Sequence, residues 1–430
     1  MARLQRFRNW LMTSRRFRLG SILVWSLITL IEFGRLWPAP AGDFKLHWEL
    51  GRRMLAGQFI YEFGLDYPYP PFWGFVHIPW VTFDIHVAQL LLFPLAPIAL
   101  IGLLGCLNRI ASVAIPLANA SAINVSMVAV LLTSRYLMRD MTECGVNLAL
   151  VLLCWCAFLF WQNNRDIAAG ISLGLAISLK CTPAAFLAYF LWKRQWKVFF
   201  AGSVSIIALS ASPMLVMGPT AFYNAGKHWV VHASVGVTER DPSIGVLGPT
   251  IVQNFSLRPA LARYLMVFPE SHIGRIDHPG YINFMNLPPE KAGNIIRWLM
   301  IALALYVAFC FSSKVIDRKS SSILWEYAAI AIATLLYSPI TWAQHCVAVL
   351  PPIYLLTRSW LSSETSPRLI PYFLFGYALI VLGLNRELLG QSNMLLLYSY
   401  RITTATLLGL LAILMVCWRA SQGNSFSGEK

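Results

Sequence analysis

Long, nearly uninterrupted apolar runs constrain this chain more than any other feature. Leu19–Trp37, Ile85–Leu107, Ser112–Leu137, Val198–Met217, Asn294–Ser313, Leu369–Leu384 and Thr403–Trp418 are such runs. They reach or approach the roughly 20 residues a helix needs to cross a hydrocarbon core of about 30 Å. Lipid leaves the backbone two ways to satisfy its polar groups, helix or closed barrel, and the runs lack the two-residue alternation of barrel strands. The sequence therefore predicts an all-α polytopic membrane protein. Composition agrees, since 57% of residues are hydrophobic and only 12% charged, about half the charge of a soluble domain.

The formal net charge of +15 raises the question of nucleic acid, but the placement of the charge answers it. Arg3, Arg6, Arg8, Arg15, Arg16 and Arg18 precede the first run, Lys193, Arg194 and Lys197 form a second cluster, Lys314, Arg318 and Lys319 a third, and Arg419 follows the last run. Basic residues flanking spans mark the cytoplasmic side, so the excess is read as topological and no nucleic-acid partner is expected. The reading gives a basic cytoplasmic segment 1–18, one membrane domain over 19–418 with about twelve spans, and a cytoplasmic tail 419–430. External loops are expected at about 38–84 and 219–293, in a plasma (inner) membrane with both termini inside. Phe44–Leu55 fits an amphipathic surface helix, Asn147–Trp161 reads as an inward crossing, and Asp166–Leu179 and Ala184–Trp192 are short crossings in which broken or tilted helices fit. No cleavable signal is read at the N-terminus. The eight cysteines form no CxxC pair, so they read as membrane-core thiols, with no disulfide framework or zinc site expected.

Ionisable groups at membrane depth or edge are costly and therefore functional candidates. On this topology the external side gathers Asp43, His47, Glu49, Arg52, Arg53, Asp66, Arg135, Arg139, Lys180 and His345. Asp43 is either an interfacial loop aspartate or a general base for an acceptor hydroxyl. Lys180 precedes Cys181-Thr182-Pro183, a break between two short helices. It is either a snorkelling lysine or a phosphate ligand of the broken-helix kind. His345, in Ser338-Pro339-Ile340-Thr341-Trp342-Ala343-Gln344-His345, is a structural histidine or a partner of phosphate or sugar hydroxyls. Tyr67-Pro68-Tyr69-Pro70-Pro71 reads as a stiff aromatic turn. No Walker A, HExxH or DxD motif occurs, so neither metal nor cofactor is expected. The competing reading is a transporter or lipid flippase, and a non-catalytic scaffold is the third.

Taken in order, several segments resemble the bacterial GT-C glycosyltransferases that use polyprenyl-phosphate mannose, including the phosphatidylinositol-mannoside mannosyltransferases. They are Asp43-Phe44-x-x-x-Trp48 with Gly51-Arg52, Leu55-Ala56-Gly57, Tyr61 and the aromatic turn; Gly170-x-x-x-Gly174-Leu175-Ala176 with Leu179-Lys180-x-Thr182-Pro183; Gln253-Asn254-Phe255-Ser256-Leu257; and Ser338-Pro339-Ile340-Thr341-Trp342-x-x-His345. The family's Gly-Gln-x-Asn is here Cys144-Gly145-Val146-Asn147, so only Asn147 carries over. The resemblance implies a hexosyltransferase with a GT-C helix bundle. It would move a sugar, mannose being the commonest, from polyprenyl phosphate to a glycolipid or polysaccharide acceptor on the external face, with inversion. It further implies Asp43 as base, assisted by His345, with Lys180, Arg135 and Arg139 at the donor phosphate. His47, Trp48, Tyr61, Tyr69, Asn147, Asn254 and Trp342 become binding or loop residues, and the apolar helices hold the prenyl tail.

Overall fold

The computed structural model describes residues 2–38, 42–61, 69–276, 282–362 and 367–426; Asp66 and the opening Tyr67-Pro68 of the aromatic turn lie outside them. Helix α1 (Ala2–Thr13) ends where the Ser14 hydroxyl accepts the Phe17 N–H and starts α2 (Arg15–Leu36), the first span-length helix. The expected amphipathic helix is α3 (Phe44–Leu55). Phe44, His47, Leu50 and Met54 recur at helical spacing along its buried face, and the helix packs on α4 (Pro71–His77).

Helices α5 (Ile85–Leu92) and α6 (Leu95–Ala114) together make a 30-residue apolar crossing, followed by α7 (Asn119–Thr142). A tight turn leads into α8 (Val146–Gln162), which is antiparallel to the shorter α9 (Asp166–Leu179). After a break come α10 (Ala184–Trp192), α11 (Trp196–Ala211) and the one-turn α12 (Met214–Met217). Gly170 and Gly174 bring α9 against α11: a Cβ on Gly170 would lie 2.6 Å from that of Ala201 and 2.7 Å from the Gly202 nitrogen. Small residues four apart permit such backbone approach where lipid offers no hydrophobic drive for helix association.

The long polar segment is itself folded. It holds α13 (Pro219–Thr238), a hairpin of β1 (Ile244–Gly245) and β2 (Gly248–Pro249), α14 (Leu257–Leu265) and α15 (Ile273–Ile276). The chain continues through α16 (Pro289–Cys310), α17 (Ser321–Tyr337), a 3-10 turn at Ala343–Val349, α18 (Leu350–Ser362), α19 (Leu369–Gly383), α20 (Arg386–Ser399) and α21 (Ile402–Phe426). At the centre, Tyr327 of α17 sits among Phe158, Phe186 and Phe190, with ring centroids 4.3, 4.5 and 6.0 Å away, and donates to the Cys154 carbonyl at 2.7 Å.

Among the described residues six helices are long and apolar enough to cross a membrane, seven if α19 and α20, bent by 112°, count as one. Three more apolar helices, α8, α9 and α17, are shorter. Beside the expected dozen or so spans, the described residues thus hold six or seven span-length helices and three shorter ones. The difference is clearest at α10, whose nine residues rise only about 14 Å, half a hydrocarbon core. The basic clusters also differ from expectation. Lys193 is buried and paired with Glu326 at 2.7 Å, and Arg318 binds Asp166 at 2.5 Å beneath the Trp161 ring.

Candidate functional site

Asp43 stands at the start of α3, and its carboxylate does not cap that helix. Its backbone N–H is instead held by Glu143 Oε2 at 2.5 Å, and Glu143 Oε1 is bridged by Arg139 at 3.2 Å. The Asp43 carboxyl is thus left to face a cavity while its main chain is anchored 100 residues away. Burial pushes its pKa above the ordinary carboxylate value, with Arg139 and Lys180 pulling the other way. The Glu143 carboxyl is likewise raised, by burial first and then by the Asp43 charge.

Lys180 follows α9 in an extended conformation (φ −154°, ψ 129°), because Thr182-Pro183 prevents the helix from continuing. This break turns a lysine that would otherwise ride on a helix face into the wall of the same cavity. Its ammonium donates to Asn147 Oδ1 at 3.2 Å, lies 2.9 Å from His345 Nε2, and sits 5.2 Å from the centroid of the Tyr69 ring. Burial lowers its pKa to about 8, with Asp140 and Asp43 opposing. With Lys180 charged, His345 Nε2 must accept. The histidine proton then resides on Nδ1, which faces the Ile340 carbonyl at 3.1 Å.

Asn147 is oriented in turn by Asp140. That carboxylate accepts from the Asn147 side chain at 2.8 Å, the Asn147 N–H at 3.3 Å and the Leu148 N–H at 3.0 Å. The α7–α8 turn that makes this possible carries Cys144 and Gly145 at φ of 62° and 71°. A side chain at Gly145 would also strike the Ala96 backbone, so glycine is required there twice over.

The loop bearing Trp342 and His345 is pinned from below by Asn254. Its amide donates to the Pro339 carbonyl at 2.9 Å, and its Oδ1 accepts the Thr341 N–H at 3.0 Å and the Ser256 hydroxyl at 2.8 Å. Phe255 N–H to the Thr341 carbonyl, at 2.7 Å, adds a main-chain tie. The Trp342 and His345 rings lie parallel, with centroids 6.1 Å apart.

These parts meet at one cavity of about 1020 Å³. Asp43, His47, Tyr69, Lys180, Trp342 and His345 line its polar mouth, while α10, α16 and α17 supply an apolar wall rich in alanine. Asn147 faces a small adjoining cavity of about 60 Å³ that shares Lys180 and His345 with the large one. Burial keeps the His47 imidazole well below its ordinary pKa.

Other candidates fall elsewhere. Arg135 turns toward α20, bonding the Tyr398 hydroxyl, and does not line the cavity. Arg139 bridges Glu143 and bears on Asp43 through its charge, with no place on the cavity lining. Trp48 donates to the Trp80 carbonyl at 3.3 Å and Tyr61 to the Tyr69 carbonyl at 2.8 Å, so both brace the loop outside the cavity. Asn254 acts on the site only through the loop it holds. Glu49, Arg52 and Arg53 pair with one another, at 2.6 Å and 3.2 Å. Asp140 and Glu143 were missed in the sequence, although two acids at the end of a helix just before Gly145-x-Asn147 are a signal of sorts. Among the described residues no group of three or more His, Cys, Asp or Glu is arranged to hold a metal ion.

Glycosyltransferase family 87 matches residues 67–269. A polyprenol-phosphate-mannose-dependent alpha-(1-2)-phosphatidylinositol mannoside mannosyltransferase of Mycolicibacterium smegmatis is 26% identical over 183 residues, 42% of this chain. The match spans 35% of that relative's length. No solved structure matches. The family segment includes Tyr69, Asn147, Lys180 and Asn254, whereas Asp43, Trp342 and His345 lie beyond it and join it only in space. Over that segment, just under half of the chain, this polytopic helical membrane protein is similar to the glycosyltransferases of family 87.

Proposed function

We propose that the chain transfers a sugar, mannose by preference, from a polyprenyl-phosphate donor to a glycolipid or polysaccharide acceptor. One observation carries this reading: a carboxylate and an ammonium share the mouth of a cavity that is otherwise apolar. The acceptor hydroxyl attacks the anomeric carbon from the side opposite the phosphate while Asp43 takes its proton, so the configuration inverts. The departing polyprenyl phosphate gains negative charge as the glycosidic bond breaks. Lys180 stabilises that charge, with His345 and Asn147 fixing where the ammonium points. The donor carries its own leaving group, so the step uses no nucleotide. The basic N-terminal end of α2 lies at the opposite end of that helix from Asp43, which supports an external site and a cytoplasmic N-terminus.

The reading is tested with purified protein in bilayers, supplied with polyprenyl-phosphate mannose and a glycolipid acceptor. A mannosylated lipid is expected; movement of solute or donor across the bilayer with no transfer would overturn it in favour of a transporter.

Two further outcomes are expected. Among the described cysteines Cys181 alone is exposed, and it lines the cavity. A membrane-impermeant thiol reagent should label it first, and added polyprenyl phosphate should slow the labelling; equal labelling with and without the phosphate would count against donor binding here. The second concerns pH. The Lys180 ammonium is present below about 8 and lost above it, so kcat/KM for the donor should decline above about pH 8. Replacing Lys180 by Arg, which stays charged, should move that alkaline limb up and out of range. The acid limb should sit above the ordinary carboxylate range, because Asp43 is raised and must be ionised to act.

A further inference from the structure

The cavity wall runs from the polar mouth along α10, α16 and α17 and ends at a hydrogen-bonded floor. The floor is built around Glu326. Its Oε2 is bridged by Lys193 at 2.7 Å and accepts the Tyr189 hydroxyl at 2.8 Å, and its Oε1 accepts the Trp418 indole N–H at 3.2 Å. Lys193 also donates to the Ser313 carbonyl at 2.9 Å, so α10, α17, α21 and the turn after α16 are tied together at this level. Both members of the ion pair are almost wholly buried. Just above them Tyr189 and Phe311 close the lining, while Trp192, half exposed, stands at its lateral edge and donates from its indole to the Ala308 carbonyl of α16 at 3.0 Å.

A buried ion pair within an apolar bundle is costly unless fully bonded, and it resists displacement when it is. An aliphatic chain entering from the mouth therefore meets a fixed stop. Ser338 lies at the mouth and Glu326 at the floor, twelve residues apart, mostly along α17. At 1.5 Å per residue the depth is about 18 Å. An extended isoprene unit contributes four backbone bonds, about 5 Å at the per-bond reach of a stretched chain. The depth thus accepts three to four units.

We propose that this floor makes the enzyme read only the three or four isoprene units nearest the phosphate. Trp192 and the alanines of α16 are the residues that set the number. Units beyond the fourth leave sideways and lie in the bilayer, as they do in the unbound donor, so they add nothing to selectivity. The inference rests on the proposed use of a polyprenyl-phosphate donor.

The experiment measures kcat/KM for synthetic prenyl-phosphate mannose donors of one to eight units in vesicles, each presented at equal bilayer density. For the natural chain, kcat/KM is expected to rise up to three or four units and then stay flat to within about twofold. Ala304→Phe places a ring about 10 Å above Phe311, at 1.5 Å per residue of α16, and should bring the plateau forward to about two units. Trp192→Ala removes the indole above the floor and should delay the plateau by about one unit. A steady rise through eight units in the natural chain, or an identical plateau in all three proteins, would overturn the proposal. Absence of transfer from donors of every length would instead defeat the glycosyltransferase reading itself. A plateau that moves in opposite directions in the two variants is not explained by a general loss of folding.

Discussion

Replacement of Asp43 by Asn is expected to cut sugar transfer by about a thousandfold, within the range that a positioned general base contributes. The substitution keeps the shape of the residue and the main-chain N–H that Glu143 holds, so α3 and the cavity mouth should stay in place. The loss should therefore appear in kcat, with donor KM changed little, the pattern of an interaction that matters in the transition state. Donor protection of Cys181 should persist in the same variant, showing that the cavity still binds. Full transfer by Asp43→Asn would remove Asp43 from the reaction and leave Glu143, the neighbouring carboxylate, as the next candidate.

Replacement of Lys180 by Met should lower kcat/KM by about two to three orders of magnitude, comparable with the loss of one preorganised donor to a developing anion. Here donor KM should rise as well, because the ammonium meets the phosphate in the ground state too. Lys180→Arg should recover part of the activity, though not all of it. The guanidinium is wider than the ammonium, and the space between Asn147 Oδ1 and His345 Nε2, at 3.2 Å and 2.9 Å from Nζ, was shaped for a point charge. Equal activity in the Met variant and the natural chain would show that the leaving phosphate is stabilised elsewhere.

The parts of this molecule that follow periodic rules were legible in the sequence. Apolar runs marked the membrane helices, the 3.6-residue pattern marked α3 between Phe44 and Leu55, and Thr182-Pro183 marked the break that exposes Lys180. The bounds of the short helix α10 were legible, but nothing in its apolar composition says that its nine residues stop short of a full crossing. Pairings between distant residues were not legible at all. That Glu143 reaches Asp43, that Arg135 turns away to Tyr398, and that Lys193 finds Glu326 depend on which helices come to lie side by side. Charge alone made Arg135 resemble a phosphate ligand and Lys193 resemble a topological marker. Asn254 carried a similar ambiguity, since an amide that shapes a loop and one that touches a sugar look identical in sequence.

The α7–α8 turn has one more consequence. Within eight residues it grips the two groups proposed to react: Glu143 takes the backbone of Asp43, and Asn147, set by Asp140, takes the ammonium of Lys180. Asp43 and Lys180 are otherwise carried by segments far apart in the chain, so this turn serves as a caliper between them. Its jaw setting is the left-handed pair Cys144 and Gly145, locked against Ala96. Any change there alters both ends of the measurement together, so acceptor activation and leaving-group stabilisation should fail as one.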